Sequence, residues 1–213
     1  MRAIIVYSGG LDSTTLLYEY RDRIALAVSF DYGSKHNAKE LSFAAEHCRK
    51  LDIPHRIIPL DFIGRYFRSD LLLSGGEIPE GSYADDNMKS TVVPFRNGIM
   101  LAVAAGLAES YDLDTVLLAN HGGDHAIYPD CRPEFIEAFD RAARAGTYNG
   151  VRIVSPYCNL TKRDIALRGR ALGIDYARTW SCYKGGEKHC GRCGTCTERK
   201  EALAGFDPTE YEE

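Results

Sequence analysis

The sequence has no apolar run approaching the roughly 18 residues of a membrane span. Met1-Arg2 leads straight into "AIIVY", which is too short for the apolar core of a signal segment. It has no excess of basic residues: 30 acids face 26 bases, for a net charge of −4. A broad nucleic-acid-binding surface is therefore not expected, and no stable nucleic-acid or membrane partner is expected either. There is no internal repeat and no low-complexity segment. A soluble cytoplasmic protein is the expectation. Its 213 residues suffice for one core with a small appendage, and 45% hydrophobic residues is an ordinary globular share.

What is present is an alternation. "AIIVY" (Ala3–Tyr7) reads as a buried strand, and "IALAVSF" (Ile24–Phe30) and "HRIIPL" (His55–Leu60) as the next two strands. Helical patterns over Ser13–Arg23 and Lys35–Leu51 lie between them, the second with Leu41, Ala44, Ala45 and Cys48 as its inward stripe. A helix over Asn97–Tyr111, a strand over Thr115–Ala119, a helix over Pro133–Ala145 and a strand over Val151–Tyr157 continue the rhythm. A helix over Thr161–Gly173 opens with a capping-box-like Thr161 and Asp164. The fold class is α/β: an open, mainly parallel five-stranded Rossmann-like sheet with helices on both faces. Residues 1–175 form the main domain, and 61–91 are an irregular, functional or mobile insertion. Residues 176–204 form a C-terminal cysteine region with a short helix near Glu198–Leu203, and 205–213 an acidic, frayed tail.

In such a sheet ligands bind beyond the carboxyl ends of the strands. "SGGLDSTT" occupies that place after the first strand. Its glycines allow a close backbone approach, and its hydroxyls and the following helix N-terminus favour an anion. The chain contains neither the Walker GxxxxGK[ST] nor GxGxxG. The loop resembles the PP-loop of the ATP-pyrophosphatase superfamily, whose members cut ATP between the α- and β-phosphates and adenylate a substrate oxygen. That resemblance implies ATP as co-substrate with Mg²⁺ near Asp12. The implied ATP-binding set is Tyr7, Ser8, Gly9, Gly10, Leu11, Asp12, Ser13, Thr14, Thr15, Leu16 and Leu17, with Asp31.

Seven cysteines occur, and four of them, Cys182, Cys190, Cys193 and Cys196, are bunched as C-x7-C-x2-C-x2-C. A bunch without a secretory signal reads as a metal site rather than a disulfide framework. Four thiolates close a tetrahedral structural zinc site, one ion per chain, with Gly191 and Gly194 supplying the turns. A bacterial ferredoxin run would close with x3-C-P, but Lys200 stands there. His189 reads as a neighbour of the site.

The PP-loop, "FDYG" (Phe30–Gly33), "YPDCR" (Tyr128–Arg132) and the four-cysteine spacing, in this order, are similar to the QueC family. The family is implied to convert 7-carboxy-7-deazaguanine and ammonia to the nitrile with two ATP, through the adenylated acid and then the adenylated amide. A homodimer is also implied. Arg96 is a candidate clamp for a phosphate or carboxylate. Asp124 and Asp130 are candidates to read ring N–H groups or to deprotonate ammonium. Asp12, Arg96, Asp124 and Asp130 make up the expected catalytic set. The chain departs from the family pattern at Phe95, which stacks on the substrate or plugs the core, and within Ala119–Ile127. Those departures keep open a related enzyme acting on another carboxylate, such as a protein C-terminus. A tRNA thiolase and a non-enzymatic nucleotide-binding zinc module, which would bind ATP without turnover, are the other rivals. His36, His47 and His55 read as surface or strand-edge residues, while His121 and His125 fall in the site loop.

Overall fold

The protein is described by a computed structural model covering residues 2–82 and 86–212. Five parallel strands run β1 Ala3–Val6, β2 Ile24–Asp31, β3 His55–Pro59, β4 Thr115–Leu117 and β5 Arg152–Val154, in spatial order β3-β2-β1-β4-β5. The side chains of β1 alternate between two cores, as the period of two along a strand requires. Ile4 packs with Val28, Leu101, Ala104 and Val116. Ile5 packs on the other face with Leu16, Leu17, Ile165 and Ala166. Helices α1 (Leu11–Glu19), α2 (Asn37–Lys50) and α6 (Lys162–Ala171) cover the second face. Helices α4 (Arg96–Ser110) and α5 (Pro133–Gly146) cover the first.

Several segments differ from the sequence reading. Residues 61–91 are not one irregular loop. They hold α3 (Asp61–Tyr66) and a 3-10 helix at Asp86–Thr91, and Leu71, Leu72, Ile78 and Met88 are buried. Their buried apolar residues come from short, irregular pieces of chain, so no period of 2 or 3.6 marks them. Part of the Gly- and acid-rich stretch, 83–85, lies outside the described residues. Helix α1 begins at Leu11 rather than Ser13, and α7 (Gly194–Ala202) begins before Glu198. His36 and His47 are buried rather than at the surface. His47 bonds Tyr18 Oη at 3.0 Å and the Arg178 carbonyl at 2.8 Å.

The acidic tail is held down as far as Glu212. Glu212 N donates to His189 O at 2.8 Å, and Tyr211 Oη donates to Asp207 at 2.7 Å. Arg199, fully buried, donates to the hydroxyls of Thr209, Thr179 and Ser181 and to Tyr176 O. It thereby clamps α7 between the tail and the segment leading to Trp180. Among the described residues, the helical stretch Asn87–Ser110 is long and apolar enough to cross a membrane by length and composition. Half of its most apolar window is buried inside the protein, where Leu101, Ala104 and Ala108 lie against the sheet. This is the pattern of a core helix.

Candidate functional site

The strand order reverses beside β1, which has β2 on one side and β4 on the other. The segments after these three strands diverge there and leave a crevice. A cavity lies in that crevice. Its walls come from the loop after β1, from Tyr32, from the start of α2, from Arg96 and Asn97, and from Asn120, Asp124 and Tyr128.

The loop is built by its two glycines for different reasons. Gly9 has φ +85, and a Cβ there would lie 2.4 Å from the Glu40 carbonyl oxygen. Gly10 has an ordinary φ of −77 and acts as the N-cap of α1. Thr14 N is the first to bond back, to Gly10 O at 3.0 Å, so the N–H groups of Leu11, Asp12 and Ser13 emerge from the helix end. Ser8 Oγ and Ser13 Oγ lie 2.9 Å apart, and Gly10 N donates to Ser8 Oγ at 3.1 Å. These hydroxyls satisfy one another and can turn toward an anion.

Of the residues singled out in the sequence, Tyr7, Ser8, Gly10, Leu11, Asp12, Ser13, Arg96 and Asp124 line the cavity. Thr14 and Thr15 are buried beneath the loop, where they bond Tyr7 Oη at 3.1 Å and Tyr176 Oη at 2.8 Å. Leu16 and Leu17 are core residues. Gly9 packs on α2, and Asp31 is exposed at the end of β2. Asp130 caps α4 by accepting Asn97 N at 2.8 Å, away from the cavity wall. Phe95 neither plugs the core nor faces the cavity. It is 57% exposed in the left-handed region, edge-on to Phe135.

Lys162, which the sequence reading left out, and His121, which it noted only as part of the site loop, complete the site. Lys162, the first residue of α6, places Nζ 3.3 Å from Asp12 Oδ2 and 2.6 Å from Glu198 Oε2. Burial alone would push its pKa down, but Asp12 and Glu198 prevail and hold it protonated. His121 is 1% exposed, and its Nδ1 accepts the Gly123 N–H at 3.0 Å. Its Nε2 sits 3.9 Å from Asp12, 3.6 Å from Asp124 and 3.9 Å from Glu198. The buried Oδ1 of Asp12 has no hydrogen-bond partner. Such an orphaned carboxylate oxygen suits a cation.

On the far wall, burial raises Glu40 to about 8 and lowers the neighbouring His36 to about 3. Folded Glu40 therefore holds a proton that the unfolded chain has released, and stability falls as pH rises toward 8. His36 costs stability only below its ordinary range, so between pH 6.5 and 8 Glu40 acts alone of the two. Relative to Glu40→Gln, wild type is expected to lose about 2 kcal/mol across that window. Urea midpoints at the two pH values check this, and parallel slopes for the two proteins would refute it.

The sulfurs of Cys182, Cys190, Cys193 and Cys196 all lie within 4.8 Å of one another and are buried. Tetrahedral thiolates at about 2.3 Å from zinc stand about 3.8 Å apart, and Cys190 Sγ lies 3.9 Å from Cys196 Sγ. Backbone N–H groups of Arg192 and Cys193 point at Cys190 Sγ at 3.5 and 3.3 Å, as suits a thiolate. The residues fit a closed metal site. His189 stands outside it and bonds Ser181 N at 3.1 Å.

Comparison with known proteins agrees with this arrangement. A solved NMN synthetase from Francisella tularensis shares the fold, with a TM-score of 0.52 at 13% identity, covering 87% of this chain and 68% of that one. The family model described as "Queuosine biosynthesis protein QueC" matches residues 2–207. A Porphyromonas gingivalis protein named 7-cyano-7-deazaguanine synthase is 70% identical, over 99% of this chain and 97% of its own length. Proteins of the same name from Desulfotalea psychrophila and Rhizobium johnstonii are 57% and 50% identical, covering 98% and 100% of this chain and 98% and 93% of their own lengths. With a family model matched from the first strand through the cysteine cluster, and relatives this similar end to end, the chain belongs to the QueC family.

Proposed function

We propose that the protein is an ATP-dependent ligase that converts 7-carboxy-7-deazaguanine and ammonia to 7-cyano-7-deazaguanine. The observation that carries the reading is the placement of the "SGGLDS" loop at the switch point, with Asp12 and Lys162 facing one cavity. A carboxylate oxygen is a poor leaving group, and adenylation makes it a good one. Ammonia then displaces AMP to give the amide. Adenylation of the amide oxygen, followed by loss of AMP and two protons, gives the nitrile.

The chain's own groups have defined tasks in this sequence. The N–H groups of Leu11, Asp12 and Ser13 and the hydroxyls of Ser8 and Ser13 would receive the departing pyrophosphate. The Lys162 ammonium would balance its growing charge. Arg96 is held by Tyr32, whose Oη accepts from Nη1 at 3.0 Å, and offers its remaining N–H groups to an anion on the opposite wall. Both adenylations would use the same groups, because each presents an oxygen to the same α-phosphorus.

Asp12 would hold a divalent cation through its orphaned Oδ1, and Mg²⁺ there would neutralise the phosphates. The cysteine cluster would hold one structural zinc. A homodimer in the cytoplasm belongs to the same reading. Phe95 lies outside the cavity, so this departure from the family pattern leaves the wall unchanged and gives no support to a different carboxylate substrate.

Incubation with the acid, ATP, Mg²⁺ and ammonium should yield the nitrile by mass spectrometry, with two AMP per product. Synthetic amide should need one ATP and no ammonia. Absence of AMP with either compound would overturn the assignment. Asp12→Asn is expected to lower kcat about a hundredfold while changing ATP affinity much less, since it removes a charge beside the reacting phosphates. Single-turnover assays with calorimetric ATP binding measure both, and an unchanged kcat would remove Asp12 from this role.

A further inference from the structure

Lys162 stands at the wrong end of its helix. It is the first residue of α6, where the helix dipole disfavours a cation. Its side chain is 12% exposed, so water does little to compensate. Three carboxylates, Asp12, Glu198 and Asp124, keep it there, and Glu198 is nearer than Asp12.

Glu198 belongs to α7, a helix of nine residues. So short a helix does not hold its own position in water. Its first turn carries Cys196, and Cys193 is its N-cap. At 100° per residue, Cys196 and Glu198 point to nearly opposite sides of the helix axis. One side of α7 therefore carries cluster sulfur and the other faces the nucleotide loop. Thr195, between Cys193 and Cys196 in the chain and about 60° from Glu198 around the helix, lines the cavity itself. Arg199 fixes the rotation of the helix through its buried bonds to Thr179, Ser181 and Tyr176. A roll of α7 would break these bonds.

We propose that Glu198 is a positioning residue that holds the Lys162 ammonium over the glycine-rich loop, and that its place on α7 couples the nucleotide site to the cysteine cluster. The inference rests on the functional reading above for the role of Lys162. The consequence for Asp12 is specific. With Glu198 drawing the ammonium to 2.6 Å, Lys162 stays 3.3 Å from Asp12 Oδ2, and Oδ1 remains without a partner. Without Glu198, the ammonium is left to Asp12 and Asp124, and closer pairing with Asp12 withdraws that carboxylate from a cation.

The test uses the full chain with Glu198→Ala, Glu198→Gln, Lys162→Met and the double variant Glu198→Ala/Lys162→Met. Metal content, melting temperature, affinity for a non-hydrolysable ATP analogue with Mg²⁺, and kcat and KM for ATP are measured on each. The expected result is metal content unchanged in Glu198→Ala, analogue affinity down at least tenfold, and kcat also reduced. Glu198→Gln should fall between it and wild type, because the amide keeps an acceptor without the charge. The double variant should be no worse than Lys162→Met. Loss of metal in Glu198→Ala would reduce Glu198 to a support of the knuckle and overturn the proposal. Multiplicative losses in the double variant would do so too, since the two residues would then act independently. Analogue binding and its non-additivity need no acceptor substrate. If wild type forms no AMP from the acid, the assigned reaction fails while the coupling is still decided.

Discussion

Cys193→Ser is expected to empty the cysteine cluster and to lower the melting temperature by more than about 10 °C. Four thiolates make a closed tetrahedral set, and a serine hydroxyl is a poor substitute for one of them. Structural zinc contributes roughly 10–16 kcal/mol of apparent binding free energy in small zinc modules, and that binding is linked to folding. Here the linkage reaches the main core. The four cysteines pack in the same buried cluster as Ile4, Val28 and Val116, and a backbone bridge joins Cys193 to Glu80. Loss of the metal therefore destabilises the sheet-bearing body together with the knuckle, and a single, earlier unfolding transition is expected. Elemental analysis with calorimetry reads both effects. Full zinc in the variant, or iron with sulfide in wild type, would contradict the assignment.

Gly9→Ala is expected to lower stability by about 3 kcal/mol or more and to weaken ATP binding with it. The residue has φ +85, which costs any L side chain. The added methyl would also meet two backbone atoms of α2, Glu40 O at 2.4 Å and Ala44 N at 2.9 Å, and neither can rotate away. The loop and α2 must separate, and Trp180, whose N–H bonds Gly9 O at 3.2 Å, is disturbed with them. Gly10→Val makes the contrast. A Cβ at Gly10 meets the Ser8 hydroxyl at 3.2 Å, with φ ordinary. That variant should melt close to wild type yet bind ATP poorly, because its bulk fills the space where phosphates approach. Thermal melts paired with nucleotide titrations separate the two. Equal behaviour of both variants would mean that the glycines serve one purpose.

What could be read along the chain was whatever a few neighbouring residues encode. The apolar runs of β1 and β2 are continuous because these strands are buried on both faces, whereas β3, at the sheet edge, is half exposed; the parallel order follows from the helices between the strands. The glycine-rich loop and the cysteine spacing are local devices, legible as motifs because their ligand-facing atoms come from one turn or one knuckle. Helix α6 was visible through its capping box, which the structure contains. Residues 61–91 were not legible, because buried Leu71, Leu72 and Met88 carry no period.

Only the tertiary structure decided which charged groups meet. Asp12, His121, Lys162 and Glu198 come from four separate segments and converge because the strand order reverses beside β1. Nothing local distinguishes Lys162 at the head of α6 from a solvated lysine, or Glu198 from any acid on a polar helix. Asp130, singled out for its neighbours in "YPDCR", spends its carboxylate on the first turn of α4. Phe95, equally prominent, turns outward because its left-handed backbone aims the ring at Phe135. Local sequence sets propensity and turn geometry over a few residues. The partner of a buried charge is set by chain crossings up to 186 residues apart, from Asp12 to Glu198, and only the assembled fold brings those together.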